Sequence, residues 1–227
     1  TLNGSMEFEG KSASFSHPVV GNSNDLTLNF TESATLDSFS DIGNFTSQGA
    51  VDLGGNFSTS GFQKYEGDVT LTSNTELDAT TIEFGKGITG NNHNLNLAPT
   101  SSSDPIVLNN INLSGVNELT IGGDLDLNGT LIANEIEIQG DTTLIGDATI
   151  NGTNSVSIQS GKTIDGTYGL TLQTGGDIFI EEDLGATDAL KNLAIGANGT
   201  VEIAGNISTT EDIEIIAQGA DVGVIGK

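Results

Sequence analysis

Short runs of alternating apolar and polar residues recur along this chain and limit what it can fold into. Between residues 117 and 158 the alternating pairs are Leu119/Ile121, Leu125/Leu127, Ile136/Ile138 and Val156/Ile158. A period of two predicts β-strands. These strands restart after five to eight residues, which leaves no room for a crossover helix between parallel strands. The pattern predicts an all-β fold, a right-handed parallel β-helix with about three short strands per rung.

The spacing of the strands gives the expected dimensions of this solenoid. Successive triplets start 14 to 26 residues apart. With strands stacked about 4.8 Å apart, ~11 rungs of ~20 residues would form a rod roughly 50 Å long. The triplets that we expect to form one equivalent strand of successive rungs start at Val69, Leu95, Leu119, Ile136, Val156, Leu170, Leu193 and Ile213.

The distribution of phenylalanine divides the chain into two sections. Seven of the nine phenylalanines lie before residue 67. Large aromatic side chains fit a wider or irregular core, so residues 1–66 are predicted to form irregular or capping rungs. Residues 67–227 are predicted to form regular rungs of the same continuous solenoid. The polar segment TSSSDP, residues 100–105, is predicted to project as a loop.

Charge and composition exclude several classes of partner. The formal net charge is −25, from 31 acidic residues against six lysines. Such a surface repels nucleic acid and anionic lipid, and the chain has no apolar run long enough to insert into a membrane. The chain has no cysteine, which excludes disulfides and thiolate chemistry. Since it opens on TLNGS with no apolar leader, we expect a mature protein or a piece of a longer one.

Residues 62–97, FQKYEGDVTLTSNTELDATTIEFGKGITGNNHNLNL, carry a resemblance to a known family. The order Tyr-x-Gly-x-Val-Thr-Leu, Thr-x-Leu, Ile-x-Phe-x-Gly and Asn-Leu-x-Leu resembles the shaft repeats of filamentous-haemagglutinin-like large exoproteins, which are bacterial surface adhesins of the two-partner secretion type. The likeness spans roughly residues 60–215. The Asn-Pro-Asn motifs of that family's secretion domain are missing, and residues 1–60 do not follow the shaft pattern. The resemblance implies an extracellular rod and brings no catalytic residues.

One segment matches the written pattern of a calcium-binding EF-hand loop. It begins Asp124-Leu-Asp126-Leu-Asn128-Gly129 and places Glu135 at the twelfth position. An EF-hand loop lies between two helices, whereas here the acids alternate with leucines as in a strand. We therefore expect a solvated acidic stripe and no metal site, with Asp124, Asp126, Asn128 and Glu135 kept as calcium candidates. No other cofactor is predicted.

Catalysis finds little support in the sequence. The two histidines, His17 and His93, lie in polar turn-like segments, and the adjacent acids Glu181, Glu182 and Asp183 are too close in sequence to flank a bond across a cleft. The chain is therefore predicted not to be an enzyme. Glycosylation stays open at nine Asn-x-Ser/Thr sites, namely Asn3, Asn29, Asn44, Asn56, Asn112, Asn128, Asn151, Asn198 and Asn206.

Taken together, these patterns favour a structural role outside the cell. The first expectation is a non-catalytic segment of an extracellular adhesin or of a matrix or filament scaffold. Its partners would be other copies of itself, or glycans or proteins of a neighbouring cell surface. One alternative is an acidic surface-layer lattice protein with cation-dependent assembly. The other is a carbohydrate-processing β-helix.

Overall fold

The computed structural model describes residues 1–100, 105–218 and 222–224, and in these residues the chain is all β-strand and turn with no helix. Its 21 strands pair side by side in parallel and wind into a solenoid of about ten turns. The predicted parallel β-helix is confirmed. Among the described residues there is also no helix of the length and apolarity that a bilayer span requires.

The strands vary from two to 17 residues in length. In chain order they are β1 (Met6–Gly10), β2 (Ala13–Phe15), β3 (Val19–Phe30), β4 (Ser33–Leu36), β5 (Phe39–Ser47), β6 (Ala50–Thr59), β7 (Gln63–Tyr65), β8 (Val69–Ala79), β9 (Ile82–Phe84), β10 (Ile88–Thr89), β11 (Leu95–Pro99), β12 (Ile106–Ile121), β13 (Leu125–Ile138), β14 (Thr142–Ile158), β15 (Ile164–Asp165), β16 (Leu170–Thr174), β17 (Asp177–Ile180), β18 (Leu193–Ala197), β19 (Val201–Ile203), β20 (Ile213–Ala217) and β21 (Val222–Val224).

Each turn of the solenoid has three faces, which the strand β13 defines. Face A contains Leu125–Leu127, face B contains Gly129–Ala133, and face C contains Glu135–Ile138. In the middle of the chain the strands β12, β13 and β14 run through all three faces, because irregular residues at the corners replace full turns. The three short strands of the sequence pattern are therefore merged there into one long strand per turn.

The predicted equivalence of the eight strand triplets is wrong. Four of them lie on face C and four on face B. All three faces carry the same apolar-polar alternation, so periodicity alone does not assign a triplet to its face. The triplets on face C start at Leu95, Leu119, Ile136 and Val156. Those on face B start at Val69, Leu170, Leu193 and Ile213.

The core consists of inward columns in which each side chain stacks on its counterpart one turn away. The register of face C runs without interruption from Phe39 to Ile203. Neighbours in this column are between 17 residues (Ile121 to Ile138) and 24 residues (Leu97 to Ile121) apart in sequence. The column contains Phe39, Phe57, Leu77, Leu97, Ile121, Ile138, Ile158, Ile180 and Ile203, and all are buried. At about 1.5–3 kcal/mol for each large side chain buried, such columns dominate the stability of the rod.

Aromatic side chains fill the core in the first turns. The ring of Phe39 lies 4.8 Å from that of Phe45 and 4.9 Å from that of Phe57. The ring of Tyr65 lies 5.4 Å from Phe45 and stacks at 5.2 Å on Phe84. These contacts join successive turns. Phe62 differs from the others, because its side chain is 41% exposed at the corner before face A.

Two polar residues, Gln63 and Thr142, occupy the same inward column of face A, which apolar side chains otherwise fill. Gln63 is fully buried, and its Nε2 donates to the carbonyl oxygens of Phe57 (2.8 Å) and Asp78 (2.9 Å). Its Oε1 accepts the hydroxyl of Tyr65 at 2.8 Å, and burial raises the pKa of that hydroxyl well above its usual value. Thr142 is also buried, but its Oγ1 has no partner among the described residues.

The predicted loop at residues 100–105 is described only at its two ends. The backbone N–H of Thr100 donates to the carbonyl oxygen of Ala79 at 2.7 Å, so Thr100 is still bonded to the turn before it. The strand β12 begins one residue after Pro105. Residues 101–104 lie outside the described residues.

Candidate functional site

The most repeated polar feature of the surface is a hydrogen bond from one turn to the next at the corner before face A. The Oδ1 of Asp124 accepts the backbone N–H of Asp141 at 3.0 Å. The Oδ1 of Asp141 in turn accepts the backbone N–H of Thr163 at 2.9 Å. Asp141 and Thr163 each lie directly before the first residue of a strand, so the carboxylate supplies the acceptor for a backbone N–H at the point where the ladder begins. We call this arrangement the cap ladder.

The cap ladder recurs elsewhere with the same polarity. Near the start of the rod, Asp25 Oδ1 accepts the N–H of Asn44 (2.9 Å), and Asn44 Oδ1 accepts the N–H of Phe62 (3.1 Å). In each pair the acceptor precedes the donor by 17 to 23 residues, which is one turn. Further acceptors are Asp147 for Gly169 (2.9 Å), Asp177 for Thr200 (2.6 Å) and Asp183 for Asn206 (2.6 Å).

Part of the acidity therefore has a local structural cause. A carboxylate that accepts a backbone N–H stabilises the start of the next turn more strongly than a neutral acceptor does. The sequence analysis missed this role and treated the acids mainly as a surface coat. The signal was present as Asp or Asn directly before an apolar triplet, repeated once per turn.

The calcium candidates do not converge on one point. Asp124, Asp126 and Asn128 lie along face A, whereas Glu135 opens face C, with the whole of face B between them. Asp124 is engaged in the cap ladder, and Asn128 donates from Nδ2 to Asn109 Oδ1 at 3.0 Å. Among the described residues, no group of three acidic or histidine side chains is placed to hold a metal ion.

Among the calcium candidates, Asp126 has its carboxyl packed between two neighbouring turns. Its side chain is half-buried in the outward column of face A, between Val107 and Thr143 of the adjacent turns. Partial burial raises the pKa of its carboxyl, because burial disfavours the charged form. The carboxylate is thus a modest cost to the fold at neutral pH.

The candidate catalytic groups lie apart or are engaged in structural contacts. His17 is exposed beside Ser16, while the backbone of His93 closes a turn through a 2.9 Å bond to Gly90. Glu181 Oε2 accepts the N–H of Ser160 at 3.1 Å. Asp183 belongs to the cap ladder. Glu181 and Asp183 thus connect neighbouring turns through hydrogen bonds.

The Asn-x-Ser/Thr sites differ in accessibility. Asn198 lies in an exposed turn, as does Asn206. The amide Nδ2 of Asn206 is hydrogen-bonded to Asp183 Oδ1 (3.1 Å), and that of Asn44 to Asp25 Oδ1 (3.0 Å). Attachment of a glycan to either of these two would replace a contact of the cap ladder.

A first surface groove, of about 260 Å³, runs along the rod where face B meets face C. We call it the Asn-rich groove. Its polar side chains bind one another: Asn94 Nδ2 donates to Glu118 Oε2 (2.9 Å), Asn117 Nδ2 donates to Asn94 Oδ1 (2.9 Å), and Asn74 Oδ1 accepts the N–H of Asn94 (3.0 Å). Its hydrogen-bonding capacity is largely used within the protein.

A second groove, of about 350 Å³, crosses face B near the end of the described chain. Its floor is Gly196, and a smaller depression over Ala194 continues it along the strand β18. Gln173 of the preceding turn and Ile216 of the following turn form its two walls. We call this groove the Gly196 notch.

The polar groups of the Gly196 notch differ from those of the Asn-rich groove. Asn151, Gln173 and Glu214 make no side-chain hydrogen bond to another described residue. Ile216 is 47% exposed, as is Ile213 (48%) on the same strand β20, which is paired only with β18 among the described residues. The sequence analysis did not identify this notch, although a glycine inside the strand sequence LAIGA is its visible signal.

Comparison of the chain with protein-family models, with curated proteins and with solved structures found no match. The fold and the arrangement of these surface groups therefore carry the functional argument.

Proposed function

We propose that this chain is a non-catalytic shaft segment of an extracellular surface protein, an adhesin or a matrix scaffold. The observation that carries the proposal is the coincidence of inward and outward ladders. The inward columns of face C continue from turn to turn, and the cap ladder ties the start of each face to the turn before it. Both devices extend a rod, and neither one requires a partner molecule.

The surface chemistry supports an exposed location. A rod with many paired strands has open edges at its ends, and a dense negative charge keeps such edges from aggregating. The net charge of −25 supplies that repulsion. The absence of cysteine allows folding without an oxidation step.

The proposal is tested on the organism that makes the protein. Antibodies raised against the folded chain should label intact, unpermeabilised cells, and protease added to those cells should remove the label. An antibody against an abundant cytoplasmic protein serves as the control for cell integrity. Labelling that appears only after permeabilisation would contradict a surface location.

A further inference from the structure

Gly196 stands out because the fold gives no reason for a glycine there. A Cβ built on this residue would meet no atom within 4 Å, and its φ is not in the left-handed region. Glycine inside a strand weakens the strand and often marks a place where a ligand approaches the backbone closely. Most other outward residues in this column of face B carry side chains, such as Thr70, Asn151 and Gln173. The missing side chain is what opens the notch.

We propose that the Gly196 notch binds a neutral glycan. The walls offer the amides of Asn151 and Gln173 and the carboxylate of Glu214, which together supply donors and acceptors for sugar hydroxyls. Ile216 offers an exposed aliphatic surface on which the C–H face of a sugar ring can pack. A volume of about 350 Å³ is in the lower part of the range for small-ligand sites.

The charge of the notch selects against anionic ligands. Its described lining includes one carboxylate, Glu214, and no basic residue. The whole protein carries a charge of −25 as well. A glycan with uronic or sialic acid groups would therefore be repelled, whereas an uncharged one would not.

A peptide strand is the less suitable occupant. The backbone of β18 is already paired on both sides, with β16 and with β20. Addition of an extended peptide to a sheet needs an unpaired edge, and β18 offers none. The strand β20, which is paired only with β18 among the described residues, would take up such a peptide on its far side, away from Gly196. The available hydrogen-bonding groups are side chains, which suit hydroxyls.

Binding is tested with the purified protein and a defined set of probes. The neutral probes are oligomers of glucose, mannose and N-acetylglucosamine, the anionic probe is an oligogalacturonate, and an uncharged extended peptide is included. Isothermal titration calorimetry measures each Kd. We expect at least one neutral oligosaccharide to bind and neither the oligogalacturonate nor the peptide to do so. The absence of neutral binding, or equal binding of the anionic probe, would overturn the proposal.

Two variants locate the site. Gly196→Gln adds a side chain to the floor at a position where a Cβ meets no atom within 4 Å, and it should weaken the Kd about tenfold. Gln173→Ala removes one wall amide and should weaken it by a smaller factor. Thr89→Gln, an exposed position in the same outward column several turns away, is the matched control and should leave the Kd unchanged. Circular dichroism verifies folding. Binding that is indifferent to both notch variants would overturn the assignment.

The inferred glycan binding depends on the proposed surface role in one respect only, because that role explains where the protein would meet a glycan. Surface labelling and glycan binding are measured separately, on cells and on pure protein. A rod that labels at the surface but binds no neutral glycan would refute the notch alone, whereas glycan binding by a protein that is not at the surface would refute the shaft proposal.

Discussion

The aromatic turns, residues 26–84, and the aliphatic turns, residues 106–203, solve the same packing problem with different side chains. In the aromatic turns, rings from successive turns contact one another at 4.9 to 5.4 Å, and the contact of Phe39 with Phe45 at 4.8 Å joins two faces of one turn. In the aliphatic turns, Leu, Ile and Val stack on identical or similar neighbours. The difference shows that the backbone ladder tolerates two kinds of filling as long as each column is occupied.

The corners also differ between the first and the later part of the chain. Among the described residues, all non-glycine residues with a left-handed φ lie before residue 93, namely Asn22, Ser23, Asp41, Asn91 and Asn92. Later corners with positive φ use glycine, as at Gly129 and Gly166. Asn and Asp tolerate this conformation through local hydrogen bonds, whereas glycine adopts it without steric cost. Both kinds of residue therefore form corners before residue 93, as at Asp41 and Gly55, whereas the later described corners with positive φ are glycines only.

The largest expected effect on stability is that of truncating one core side chain in each section. Phe57→Ala should lower the free energy of unfolding by about 3–5 kcal/mol, since it empties a site that contacts Phe39 and leaves a cavity. Ile158→Ala, in the same column of face C, should cost about 2–5 kcal/mol. Urea denaturation followed by circular dichroism measures both.

A double-mutant cycle sharpens this comparison. The Phe39/Phe57 pair should show a coupling energy of about 0.5–1.5 kcal/mol, because edge-to-face rings interact beyond their buried area. The stacked pair Ile138/Ile158 is the matched control and should couple less strongly. A coupling in the aromatic pair no larger than in the aliphatic pair would remove the physical distinction between the two sections.

The next largest effect compares two polar residues in one inward column of face A. Gln63→Leu should destabilise the protein by about 1–3 kcal/mol, since it leaves the buried hydroxyl of Tyr65 without its acceptor. Thr142→Val keeps the shape of the side chain and removes a buried hydroxyl that has no described partner, so it should raise the free energy of unfolding by up to about 1 kcal/mol. Thermal denaturation gives the signs, and two changes of the same sign would contradict this interpretation.

Removal of a cap should have a smaller effect. Asp147→Ala deletes the acceptor for the N–H of Gly169 and should cost about 1 kcal/mol. Asp147→Asn retains an Oδ1 acceptor and should recover most of that loss. Asn74, which caps Asn94 in the earlier section, provides the comparison through Asn74→Ala. If the Asn and Ala variants at residue 147 were equally unstable, the cap would not be the reason for the aspartate.

The smallest expected effect is that of Asp126→Asn. Since burial raises the pKa of this carboxyl, its contribution to stability is present below the unfolded pKa of about 3.9 and is lost as the pH rises through the folded pKa. The Asn variant should thus have a slightly higher Tm than the native protein at pH 7, and the gain should vanish near pH 3. Asp68→Asn removes the same charge from an exposed side chain and controls for net charge. A gain that is equal at both pH values would exclude this explanation.

The architecture could be predicted from the sequence because every turn of a solenoid repeats the same short alternation of apolar and polar residues. The triplets at Leu125, Ile136 and Val156 are strands that point their apolar residues inward, as alternation indicates. The assignment of triplets to faces could not be predicted, because Val69 and Leu95 have the same local pattern and differ only in their partners.

Of the surface features, the cap ladder could be predicted from the sequence and the Gly196 notch could not. The cap at Asp124 could have been inferred from the Asp or Asn that directly precedes many of the apolar triplets. The Gly196 notch could not, since its walls come from three turns and the turn length varies from 17 to 24 residues. Only the three-dimensional register brings Gln173, Gly196 and Ile216 together.

The central claim is that the protein is a stack of interchangeable turns, and removal of one turn tests it most directly. Deletion of residues 139–158 takes out one full turn, so that Ile138 assumes the place of its column neighbour Ile158. Small-angle scattering and circular dichroism should then show a folded rod about 5 Å shorter. Deletion of residues 149–158 removes part of a turn, breaks the register of face C, and should unfold at much lower urea. If the full-turn deletion were as unstable as the partial one, the account would be contradicted.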